Sequence, residues 1–95
     1  PLPEKTLALL TEETRGRLSR LRDAIAASGE WTVPALEGVV RTFAESEGVG
    51  IGKFGPALRG CLSGGSPAPD LAGALVAIGR DESLARLDDA LSHAA

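Results

Sequence analysis

The chain has 95 residues, 43% of them hydrophobic and 24% charged, with a formal net charge of −3. That length bounds it to one domain or a piece of a longer chain, and the composition excludes a disordered segment. The acidic balance excludes a binder that works by bulk positive charge, and the single cysteine excludes an internal disulfide or a multi-cysteine zinc site.

In chain order, Leu2 to Leu10 reads as a short helix with Pro3 in its first turn and Leu7, Leu9 and Leu10 as its apolar side. Thr11 then caps a second helix, with Glu12 and Glu13 suited to its first turn. Leu18, Leu21 and Ile25 carry its stripe to about Ala27, and Gly29 stops it. Arg15, Arg17, Arg20 and Arg22 spread around this helix as solvated flanks, with Glu12, Glu13 and Asp23 as partners; a nucleic-acid or domain contact is the second reading.

Thr32 caps a third helix whose buried face is Leu36, Val39, Val40 and Phe43, and Gly48 ends it. The fourth helix starts near Ile51 or Gly52, runs to about Leu62, and fits Pro56 in its first turn or at a bend. Residues 63–69 read as loop. Asp70 caps a fifth helix through Leu71, Leu75 and Ile78, which ends at Gly79, and Asp81 or Ser83 caps a last one with Leu84, Leu87 and Leu91. With three aromatic residues, no tyrosine and no strong strand pattern, the expected fold is all-α, a compact bundle of five to six short helices.

Residues 48–69, GVGIGKFGPALRGCLSGGSPAP, form an acid-free, glycine-rich stretch with a local charge of +2 from Lys53 and Arg59. Gly50 to Gly55 spells G-x-G-x-x-G, but the preceding segment is helical, so a dinucleotide fold is excluded. A Walker loop is excluded as well, since Glu47 occupies its first glycine position and Phe54 its Ser/Thr position. The glycines read as helix stops and close packing points, compatible with amides and Lys53 approaching a phosphate. Cys61 reads as a small buried apolar residue, Trp31 as a core or interface anchor with base stacking second, and His93 as a frayed terminal residue. Asp88 and Asp89 are adjacent on a helix and diverge, so they make no catalytic pair.

GIGKFGPALRGCLSGGSPAPDL followed by AIGRDESLARL resembles the C-terminal end of the bacterial glutamyl-tRNA synthetases. The resembling elements are the Gly52-Lys53 pair, the Pro56-Ala57-Leu58-Arg59 turn, the small-residue loop with proline, and Ile78 to Leu87. Upstream, Trp31, Leu36-Glu37 and Phe43-Ala44-Glu45 fit the same pattern. The resemblance implies a single noncatalytic helical module, residues 1–95, at the C-terminal end of a longer synthetase. Such a module cradles the anticodon loop of tRNA-Glu while an upstream domain attaches glutamate.

By that resemblance Arg59 is the anticodon-contacting arginine, Ala68, Pro69 and Leu71 form the loop and helix start that approach the bases, and Lys53 belongs to the Gly-Lys element. Stacking surfaces would be Arg59, Pro69 and Phe54. Gly55 stands where the family commonly has Gln, Ser63 where it has Thr and Ala72 where it has an aromatic; Ala68 replaces a Thr and its hydroxyl. The implied partners are tRNA-Glu and the upstream domains of the same synthetase, with no membrane and no DNA, and a monomer is expected. No catalytic residue, metal or cofactor is expected in this chain, ATP belonging to the catalytic domain. No signal-peptide pattern and no apolar run of about 20 residues occurs, so a cytoplasmic location is expected. The alternative is a helical protein-interaction module without RNA contact; a standalone enzyme lacks a nucleophile or metal cluster.

Overall fold

Two threonines start the two longest helices. A computed structural model of the protein describes residues 4–63 and 71–93. Thr11 Oγ1 accepts the Thr14 amide at 3.2 Å and opens α2 (Glu12–Ala26), while Thr32 Oγ1 accepts the Ala35 amide at 3.3 Å and opens α3 (Val33–Glu47). Each cap satisfies one amide left without a partner in the first turn and contributes about 1 kcal/mol. α3 ends at Gly48, whose φ of 70° is the left-handed conformation that lets its amide fold back to Ala44 and Glu45. The remaining helices are α1 (Glu4–Leu9), α4 (Gly55–Ser63), α5 (Leu71–Ile78) and α6 (Arg80–His93), with a 3-10 turn at Ile51–Lys53. Among the described residues the fold is all-α, with six helices.

The core is built from the predicted stripes. Leu18, Leu21 and Ile25 of α2, Leu36 and Val40 of α3, Leu58 and Leu62 of α4, Leu75 of α5 and Leu87 of α6 are all buried. Phe54 is fully buried and meets the Phe43 ring edge-on, centroids 5.4 Å apart at 85°, a pairing that adds about 0.5–1.5 kcal/mol to their burial. Cys61 is buried too, and that burial pushes its thiol up to about 11, so it stays protonated at neutral pH.

Four sequence expectations are corrected. Leu7 and Leu9 of α1 are exposed, and only Leu10 turns inward: α1 docks on α4 through Thr6, which is buried where Gly60 has no side chain. The α4 region starts in two steps. The 3-10 turn closes through the Phe54 amide on Ile51 O, and α4 proper begins at Gly55 with Pro56 in its first turn, where a missing amide costs nothing. Neither Asp81 nor Ser83 caps α6. It begins at Arg80, directly after Gly79 with φ 95°, and the fully buried Ser83 instead bonds Leu75 O at 3.3 Å. That carbonyl also accepts the Gly79 amide at 2.9 Å and the Trp31 indole N–H at 2.8 Å, tying α3's entry, α5 and α6 at one atom.

The fourth correction concerns Arg17, Arg20 and Arg22 of α2: besides the expected local partners Glu13 and Asp23, they clamp α2 to other helices. Arg20 forks onto Glu47 of α3 at 2.7 and 3.0 Å, and Arg17, itself buried, joins Glu47 at 3.2 Å and Glu13 at 3.3 Å. Arg22 forks onto Asp88 of α6 at 2.9 and 3.1 Å and reaches Asp23 at 3.4 Å. Hydrogen bonds from Arg20, and secondarily from Arg17, hold the Glu47 carboxyl below its ordinary value. These charges are spent on assembling the bundle.

Candidate functional site

α5 packs against both α3 and α4, and the 3-10 turn touches both α3 and α4. Where these elements meet lies an open cavity of about 260 Å³. Its α3 wall is Glu37, Val40 and Arg41; the 3-10 turn supplies Ile51, α4 supplies Arg59, and α5 supplies its first two residues, Leu71 and Ala72.

Local sequence explains each placement. On α4, Leu58, Cys61 and Leu62 take the core side and Gly60 faces α1, which leaves Arg59 half-buried on the remaining side. Gly55 keeps the floor low: a Cβ there would meet Ile51 Cγ2 at 3.4 Å and Leu71 Cδ1 at 3.6 Å, two of the lining residues. On α3, Val40 is buried, and Glu37 and Arg41 stand one turn apart beside it, both exposed.

Of the residues singled out from the sequence, Arg59 and Leu71 share this cavity. Lys53 is exposed at the end of the 3-10 turn and is not one of the lining residues. Ala68 and Pro69 lie outside the described residues. Phe54 is removed from the list of stacking surfaces, because it is wholly inside the core. The arginines of the Ile78–Leu87 element are structural: Arg80 donates to Ala26 O at 2.6 Å and Arg86 donates to Leu62 O, each serving a carbonyl at the C-terminal end of another helix.

Sequence reading missed Glu37 and Arg41. A signal existed for the second, since Arg41 is the sole basic residue in α3. Arg41 is flanked at four residues on either side by Glu37 and Glu45, yet among the described residues it is within ion-pair distance of neither. The same acid-to-arginine spacing does close elsewhere, at 3.3 Å between Glu13 and Arg17 and at 2.9 Å between Glu82 and Arg86. Among the described residues the cavity combines apolar walls of Val40, Ile51, Leu71 and Ala72 with the guanidinium groups of Arg41 and Arg59 and the carboxylate of Glu37. Apolar walls with a few convergent polar groups suit a small flat polar ligand bearing acceptors.

Residues 2–91 match the family described as the anticodon binding domain. A glutamate–tRNA ligase of Phenylobacterium zucineum is 70% identical over 94 residues, covering 99% of this chain and 20% of the relative. One of Caulobacter vibrioides is 59% identical over 91 residues, covering 96% of this chain and 19% of the relative. Among solved structures, a glutamate–tRNA ligase from Elizabethkingia meningosepticum in complex with its amino acid matches 96% of this chain and 18% of its own, with a TM-score of 0.86 and 26% identity. The chain thus spans about a fifth of the length of the curated relatives it matches. Nothing in these matches supports a protein-interaction module without RNA contact.

Proposed function

The chain belongs to the anticodon binding domain family, and we propose that its cavity receives a base of the anticodon loop of tRNA-Glu. On this reading the 95 residues form one domain at the C-terminal end of a monomeric, cytoplasmic glutamate–tRNA ligase. The ATP-dependent attachment of glutamate belongs to the part upstream, and this part contributes no catalytic group, metal or cofactor.

The observation that carries the reading is the convergence of Arg59 and Leu71, from two different helices, on one cavity that also holds Arg41. A single-stranded loop is read by splaying a base out, seating it on a flat or apolar surface and bonding its edge. Leu71, Ala72, Val40 and Ile51 supply the apolar seat. The planar fork of Arg59 supplies donors for a base carbonyl or for a phosphate, and Arg41 stands across the opening for the sugar–phosphate chain. Lys53, at the outer edge of the same region, adds a mobile point charge to the backbone.

The test is Arg59→Ala in the ligase chain that carries this domain, with circular dichroism to confirm the fold. Losing a hydrogen bond to a charged group raises KM for tRNA-Glu about tenfold, with kcat for glutamate transfer largely kept. Unchanged charging by a folded variant removes Arg59 from the site.

A further inference from the structure

Glu37 is the odd member of the cavity. A surface meant only for a phosphate chain gains nothing from a carboxylate beside two guanidinium groups, because the acid repels the ligand those groups attract. Nor does Glu37 neutralise Arg41, although the spacing of four residues with the acid first is the favourable arrangement and closes at Glu13–Arg17 and Glu82–Arg86. It lies on the cavity wall, exposed, with all its acceptor capacity available among the described residues. An ionised carboxylate can only accept hydrogen bonds. The ligand group that suits it is an N–H donor.

We propose that Glu37 is a specificity-determining residue of this cavity, accepting a hydrogen bond from the exocyclic amino group of the seated base while Arg59 or Arg41 bonds an adjacent ring acceptor. The proposal rests on the anticodon reading above and sharpens it. An arginine on the 2-carbonyl alone cannot separate cytosine from uracil, since both carry that acceptor; at ring position 3 cytosine accepts and uracil donates, so an arginine there favours the same base as Glu37. Carboxylate-to-amino pairing does separate them, because the 4-amino group of cytosine is replaced in uracil by a carbonyl oxygen that faces the carboxylate with like charge. The same logic separates adenine from hypoxanthine at the 6 position. Glu37 thus acts partly by rejection: it disfavours a base with a carbonyl at that edge and a phosphate that would settle in the cavity instead of a base.

The experiment uses synthetic anticodon stem-loops that differ at one anticodon position at a time by an amino-to-carbonyl exchange, cytidine against uridine and adenosine against inosine. Binding of each by the full chain, and by its Glu37→Gln and Arg59→Ala variants, is followed by fluorescence anisotropy. At one position the parent prefers the amino-bearing base by about tenfold. In Glu37→Gln, whose amide can accept or donate, that ratio falls towards one because the carbonyl-bearing loop binds more tightly. A structural residue would not do this, since damage to the cavity weakens both loops together. An unchanged ratio in Glu37→Gln, an equal loss for both loops, or no amino preference at any position in the parent overturns the role of Glu37. When any of these is accompanied by weaker binding in Arg59→Ala, the anticodon reading survives without it. Absence of loop binding by the parent overturns the anticodon reading and this inference together.

Discussion

Gly60→Ala sets two opposed effects against each other at a site where the structure decides between them. Gly60 lies inside α4, where replacing glycine by alanine ordinarily stabilises a helix by about 0.5–1 kcal/mol. Here a Cβ would lie 2.3 Å from Thr6 Oγ1, 2.8 Å from Thr6 Cγ2 and 3.1 Å from Thr6 Cβ. Rotating the threonine moves the first two atoms but not its Cβ, which is fixed to the backbone of α1, so relief requires α1 to back away. Thr6, at 4% exposure, would lose its seat on α4. Overpacking of this kind costs about 1–3 kcal/mol, which exceeds the propensity gain. For a chain of this size that lowers Tm by roughly 4–20 °C, measured by thermal denaturation followed at 222 nm. In a Thr6→Ala background, which removes the two nearest atoms and leaves only the 3.1 Å approach of Cβ, the same Gly60→Ala change costs less than it does beside threonine. The reasoning is refuted if Gly60→Ala alone leaves Tm unchanged or raises it.

Two further predictions concern the scaffold and complement the tests of Arg59 and Glu37. Gly38 lies within α3 and a Cβ there meets nothing within 4 Å, so Gly38→Ala should raise stability by about 0.5–1 kcal/mol in a urea titration. Because the folded pKa of Glu47 lies below its ordinary 4.5, chiefly through hydrogen bonds from Arg20, its stabilising effect is present above that value and fades as pH falls through the folded pKa. Glu47→Gln should therefore lower the urea midpoint at pH 7 and leave a smaller further drop between pH 5 and about pH 3 than the parent shows; equal drops in the two proteins would remove Glu47 from the acid response.

The parts legible in the sequence are those governed by local rules. Thr11, Thr32 and Gly48 act within one turn of themselves, and the apolar stripes of α2 and α3 follow from helical period alone, so these three helix ends and this part of the core came out as expected. Two of the misreadings, the arginines of α2 and the apolar side of α1, required knowledge of a partner distant in sequence. Arg20 and Glu47 are 27 residues apart, and Arg22 and Asp88 are 66 apart. Nothing near Leu7 or Leu9 says that the docking residue of α1 is Thr6, because the reason is the missing side chain of Gly60. Ser83 resembled a cap in sequence, but the left-handed turn at Gly79 had already started α6 three residues earlier. At the site, resemblance pointed to Arg59 and Leu71. Glu37 and Arg41 became visible only when α3 was seen to form the opposite wall, since a lone acid and a lone arginine on an amphipathic helix otherwise read as solvated surface.

Trp31 is the single tryptophan of the chain, and its indole N–H is bonded to Leu75 O, one helical turn along α5 from Leu71 on the cavity wall. The emission of an indole responds to the polarity and hydrogen bonding at its nitrogen, so the protein carries an intrinsic optical gauge of α5. A ligand that tilts or tightens that short helix changes the fluorescence of a residue it never touches. One that leaves α5 in place is silent, and the two cases separate a cavity that adjusts to its base from one already shaped for it.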